Sequence, residues 1–169
     1  RQHFHAHGFR RVTMDDLARE LGMSKKTFYA HFPTKLALVE SVLDHKISEV
    51  ESDLERIMAQ PAVPFREALK QLLACLQRHT GEIQPSFLRD VRRDATGLFH
   101  VVEQRRAALI QRVFSRLFME GRRSGMVRDD VPVRMIIEVL LAATSVIMNP
   151  AKLEDLKLTP RQGYSAILE

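Results

Sequence analysis

The sequence predicts an all-α fold in two parts, a pair of short crossed helices near the N-terminus and a larger helical body behind it. Three observations point there: apolar residues recur at steps of three and four over most of the chain, no stretch alternates as a strand would, and Gly and Pro fall between the periodic runs.

The crossed pair comes from residues 13–35. Leu17, Leu21, Met23 and Phe28 supply its apolar positions, Ala18 allows close approach, and Gly22 permits the bend. Thr13 caps the first helix from Met14, with Asp16 completing a capping box and Asp15 facing the positive end of the dipole. Ser24 caps a second helix, Lys25 to about His31, which Pro33 stops; Thr34 caps a third starting at Lys35.

From Leu36 through Val39, Leu43, Ile47, Val50 and Leu54 to Ile57 the apolar spacing marks one long amphipathic helix ending before Pro61. Its length of ~35 Å makes it the mechanical link between the two parts. Further helices are expected near Phe65–Thr80, Gln84–Asp94, Leu98–Arg123, Pro132–Met148 and from Pro160 onward, with breaks at Gly81, Gly97, Gly125 and Pro150. The run Met135–Met148 is apolar nearly all round. It is too short for a membrane span and carries Glu138, so it should be buried on both sides.

Composition fits this class. A chain of 169 residues with 45% hydrophobic and 28% charged content can form a small domain plus one larger core. Residues 1–46 hold eight Lys+Arg against five Asp+Glu, a net of +3, while the remainder holds 18 against 16, a net of +2, so the basic excess is denser in the smaller part. The single Cys75 excludes an internal disulfide framework and suits a reducing compartment. With no glycine-rich phosphate loop, Cys-x-x-Cys pair or nucleophile elbow, nothing points to an enzyme or a cofactor.

Charge placement gives the crossed helices their chemistry. Lys25, Lys26 and Lys35 each lie in the first turn of a helix, where a cation opposes the macrodipole at roughly 0.3–1 kcal/mol apiece. An anion lying across those helix ends would reverse that penalty, and DNA phosphate is the natural candidate. Phe28 and Phe32 face the core, which turns Lys25, Lys26 and Tyr29 outward toward a major groove.

The stretch GFRRVTMDDLARELGMSKKTFYAHFPTKLAL resembles the DNA-binding domain of tetracycline-repressor-like (TetR) regulators. The resemblance rests on Gly8-Phe9, Thr13, Leu17-Ala18, Gly22, Ser24-Lys25, Thr27, Tyr29, His31-Phe32 and Lys35, and covers about the first 46 residues. It implies a helix-turn-helix domain over 1–46, with its first helix truncated because the family's begins before Phe4, and a helical effector-binding and dimerisation domain over 47–169. Both chain ends are accordingly expected to be trimmed. It places Thr13, Lys25, Thr27, Tyr29, His31 and Lys35 at positions that touch double-stranded operator DNA, and Lys26 at a variable position that tunes sequence preference. It further implies nine or ten helices, a cytoplasmic protein with no membrane partner, and a homodimer through about Pro132–Met148 and Pro160–Glu169, reading a palindrome in successive major grooves.

A ligand-responsive regulator, in most cases a repressor, is the expected function; the alternative is an interaction protein of the same fold that answers to a protein partner or assembles on DNA. For a small apolar effector, Leu72, Cys75, Phe87, Val102 and Phe114, with Phe99 and Phe118, are candidate cavity linings, although core packing explains them equally well. The mixed charges Arg89, Asp90, Arg92, Arg93 and Asp94 read as a solvated helix face. His3, His5 and His7 read as a solvated helix end, so no metal is expected there, and Cys75 reads as unreactive because no basic residue within a helical turn is positioned to lower its pKa.

Overall fold

The computed structural model describes residues 13–83, 85–147, 149–159, 162, 163 and 166. Among the described residues eight helices form and no strand: α1 (Met14–Glu20), α2 (Lys25–His31), α3 (Lys35–Met58), α4 (Phe65–Gly81), α5 (Pro85–Asp94), α6 (Thr96–Arg123), α7 (Val133–Ile147) and α8 (Pro150–Asp155). The expected all-α fold is present.

The predicted starts of the first three helices match because their signals are local. Thr13 accepts from the Asp16 N–H and Asp16 reaches back to the Thr13 backbone, completing the capping box. Ser24 and Thr34 accept from the N–H groups of Thr27 and Ala37, both at 3.1 Å. Two boundaries differ from expectation. Gly97 does not break the chain but lies inside α6, because the turn is made at Ala95. Pro150 begins α8 instead of marking a gap, since Asn149 caps the helix and a first-turn Pro has no N–H to satisfy.

Two apolar cores follow the long axis of α3. One gathers Leu54, Leu72, Cys75, Val113, Phe114 and Ile137 from α3, α4, α6 and α7. The other gathers Leu17, Phe28 and Val39 from the first three helices together with Phe87 and Val91 of α5. The expected division at residue 46 therefore falls within one continuous helix, and the smaller part completes its core with a helix of the larger one.

Helices α3 and α6 run parallel, as a ladder of ion pairs shows. Arg105 pairs with Asp44, Arg112 with Glu51 and Arg116 with Glu55, each 61 residues apart in sequence. A constant offset requires two helices pointing the same way in fixed register.

The apolar α7 is buried on one side only within the chain, not on both. Ile137 is buried with Ile136, Leu140 and Leu141 packed against the first core, while Met135, Val139 and Val146 are exposed. Those three lie along one stripe. The expected final helix over Pro160–Glu169 lies outside the described residues apart from 162, 163 and 166, as do Gln84 and Met148. So do the expected first helix and His3, His5 and His7.

Candidate nucleic-acid interface

The link between α1 and α2 is built by Gly22. Its φ of +64° lets Met23 N–H reach the Ala18 carbonyl at 2.9 Å while Gly22 N–H bonds Arg19 O at 3.1 Å, the paired bonds of a Schellman turn. Phe28, 1% exposed, then anchors α2, and Phe32 packs on it with ring centroids 5.6 Å apart. With the aromatic side turned inward, Lys25, Lys26, Thr27, Tyr29 and His31 are left exposed on the other.

The exposed groups are not all idle. Lys25 Nζ donates to the Asp15 carboxylate, and the Tyr29 hydroxyl donates to its other oxygen at 3.4 Å. The hydrogen bond and charge of Asp15 raise the Lys25 pKa above the ordinary lysine value. Asp15 thus holds two of the expected DNA contacts together. Lys26, by contrast, has no ionic partner among the described residues, so its charge faces solvent.

Thr13 and Thr27 are exposed, but both hydroxyls already serve helix starts, Thr13 in the capping box and Thr27 at 2.8 Å from the Ser24 hydroxyl. Lys35 is half-buried at the start of α3. Burial lowers its pKa, opposed by the charges of Asp90 and Asp94 at the end of α5. Six of the seven sequence-predicted contacts therefore lie exposed, and the seventh faces the helix that completes the domain's core.

Local sequence reasoning missed Asp15 as the organiser of this face. It was credited only with a dipole role, because its partners lie ten and fourteen residues away and meet it only once α1 and α2 have crossed.

The candidate cavity-lining residues are divided rather than brought together. Leu72, Cys75 and Phe114 belong to one core, while Phe87 is buried in the other with Val102 packed against it. A polar cleft of about 530 Å³ opens elsewhere, between α3 and α4, lined by His45, Asp53, Arg56, Arg78, His79 and Glu82 among others. Arg78, one turn beyond Cys75, places Nη2 3.9 Å from its sulfur without lowering the thiol pKa overall. Burial is the larger influence and pushes the thiol pKa up.

A capped helix pair with a glycine turn, a basic outer face and a long helix leading into a second core is the geometry of a helix-turn-helix. Residues 1–42 match the profile of the bacterial regulatory proteins of the tetR family. This N-terminal part of the chain is therefore similar to the DNA-binding segment of that family, and the chain spans about a quarter of the length of the first curated relative it matches. It is 36% identical over 56 residues to the HTH-type transcriptional regulator EthR of Mycobacterium tuberculosis, a match spanning 33% of this chain and 26% of that one. A second M. tuberculosis regulator, Rv2250c, is 29% identical over 151 residues, covering 85% of this chain and 73% of its own. The fold of the fatty acid degradation regulator FadR from Bacillus halodurans superposes with a TM-score of 0.70 at 17% identity, covering 98% of this chain and 86% of that one. Among the described residues no helix is long and apolar enough to cross a membrane.

Proposed function

We propose that this protein is a transcriptional regulator of the tetR type, a cytoplasmic, ligand-responsive repressor that binds a palindromic DNA operator as a homodimer. The observation that carries the reading is the outer face of α2, where Lys25, Lys26, Thr27, Tyr29 and His31 stand exposed on a helix fixed from behind by Phe28. Lys25 and Tyr29 exchange Asp15 for phosphate, Thr13 and His31 flank them, Lys35 supplies a further cation, and Lys26 reaches a base edge.

The exposed stripe Met135, Val139 and Val146 on α7 supports the dimer, because an apolar face of this kind is stabilised by a second copy. Two copies related by a two-fold axis present their α2 helices about 34–36 Å apart, one turn of duplex DNA. Regulation follows from the shared core. A ligand that shifts α5 or α6 moves Phe87 and Val91 beneath the DNA-binding helices and changes that spacing, provided it favours the non-binding arrangement.

Titration of the full chain against DNA from upstream of its own gene and against a scrambled control, at two salt concentrations, tests the reading. Specific binding that disappears in a Lys25→Ala/Tyr29→Ala variant is the expected result. Equal, weak binding to both DNAs would overturn it in favour of a protein-interaction role for the same fold.

A further inference from the structure

His79 and Asp53 line the cleft between α3 and α4. His79 is 7% exposed, as is Lys46 beside it, whose Nζ donates to His79 Nδ1 at 2.8 Å. On the other edge of the ring, His79 Nε2 lies 2.9 Å from Asp53 Oδ2. Cys75 sits one turn before His79 on the same face of α4, and the donor atoms of Asp53, Cys75 and His79 lie within 4.8 Å of one another.

One cationic atom touches all three. Arg78 Nη2 is 2.5 Å from Asp53 Oδ2, 3.5 Å from His79 Nε2 and 3.9 Å from Cys75 Sγ. The Arg78 side chain is 60% exposed, so it reaches in from solvent and is free to swing back into the cleft. The protein thus holds a positive charge where a metal ion would have three ligands.

We propose that Asp53, Cys75 and His79 form a binding site for a divalent transition metal of the zinc and cobalt class, which takes the place of the Arg78 nitrogen. A thiolate, an imidazole and one carboxylate form the mixed donor set such metals accept, whereas calcium and magnesium require a shell of oxygens. Closing the three donors to bond lengths of about 2.0–2.3 Å needs only small side-chain movements, and the fourth position opens toward the cleft for water. On coordination Cys75 releases its thiol proton to solvent. His79 binds through Nε2, so its ring proton moves to Nδ1 and Lys46 turns to Glu82, which it already contacts.

Arg78, Lys46 and Arg56, which pairs with Asp53 Oδ1 at 2.9 Å, therefore all oppose the metal. If the regulator reading above holds, the site is also an input, because Asp53 lies on the helix that carries the DNA-binding part and the other two ligands lie on α4. The following test uses no DNA, so it stands or falls apart from that reading.

Cobalt(II) chloride is titrated into the reduced, untagged full chain and followed by absorption. Cys75 is the only cysteine, so a near-ultraviolet thiolate-to-cobalt band reports this site alone, whatever the exposed histidines bind. The expected result is a saturating band with visible bands of tetrahedral cobalt, bleached by zinc and absent in Cys75→Ser. His79→Gln should weaken binding, and Arg78→Gln should tighten it, each by about tenfold or more. Arg78→Gln alters an exposed residue and so keeps the test valid if the buried variants fail to fold. Absence of the band in the native chain, or unchanged or weaker cobalt binding in Arg78→Gln, would overturn the proposal.

Discussion

Asp15 opposes the phosphate that Lys25 and Tyr29 are proposed to bind, because its carboxylate already occupies both groups. Asp15→Asn should therefore tighten binding to operator and unrelated DNA alike, more at low salt than at high, as a salt-series titration would show. Unchanged affinity on both DNAs would mean that neither side chain leaves Asp15 for DNA. Asp16 has a pH signature. Hydrogen bonds from Thr13 hold its carboxyl below the ordinary value, so its contribution is present above the unfolded pKa and is lost as pH falls through the folded one. The gap in melting temperature between wild type and Asp16→Ala should accordingly close below about pH 4. Two glycines differ in what they tolerate. At Gly22 a Cβ meets open space, but φ is +64°, so alanine should cost about 1–2 kcal/mol through backbone strain alone. At Gly121 a Cβ would lie 2.6 Å from Phe65 and 2.7 Å from Val127, and Phe65 is itself packed edge-on against Phe118. Gly121→Ala should cost about 1–3 kcal/mol in chemical denaturation.

Among the elements, α3 is the one on which everything else is registered. Its length was legible from the spacing of Leu36 to Ile57, but its neighbours were not. The acids Asp44, Glu51 and Glu55 and the arginines Arg105, Arg112 and Arg116 share the same spacing, a match that becomes meaningful only once the two helices are known to lie side by side. Each pair is largely exposed, so removing one should change stability by less than about 1 kcal/mol. Leu54, on the same helix and fully buried, should cost about 2–5 kcal/mol when cut to alanine. For α7, composition alone could not distinguish a helix buried within one subunit from one shared between two. Under the proposed dimer the exposed stripe lies between two subunits, and Val139→Arg should convert that dimer to a monomer in sedimentation experiments. A dimer that survives the arginine would place the interface elsewhere.

In the whole molecule, the crossed helices were legible because their caps, bend and stop are written within three or four residues of where they act. Thr13, Gly22, Ser24 and Thr34 need nothing distant to perform those roles. The basic face was legible for the same reason, since a seven-residue helix with Phe28 inside must place Lys25, Lys26 and Tyr29 outside. Long-range pairing was not. Phe87 and Phe114 are aromatic residues on amphipathic helices and look alike in sequence, yet one completes the core beneath the DNA-binding helices and the other lies in the second core. The sequence by itself therefore determined the helix-turn-helix, its caps and its outward charges, because helix periodicity and capping are short-range. Only the tertiary structure decided that Asp15 holds Lys25 and Tyr29, that α5 underlies the DNA-binding part, and that Asp53, Cys75 and His79 meet around Arg78. Each of those depends on which helix face meets which, and that is set by packing across tens of residues.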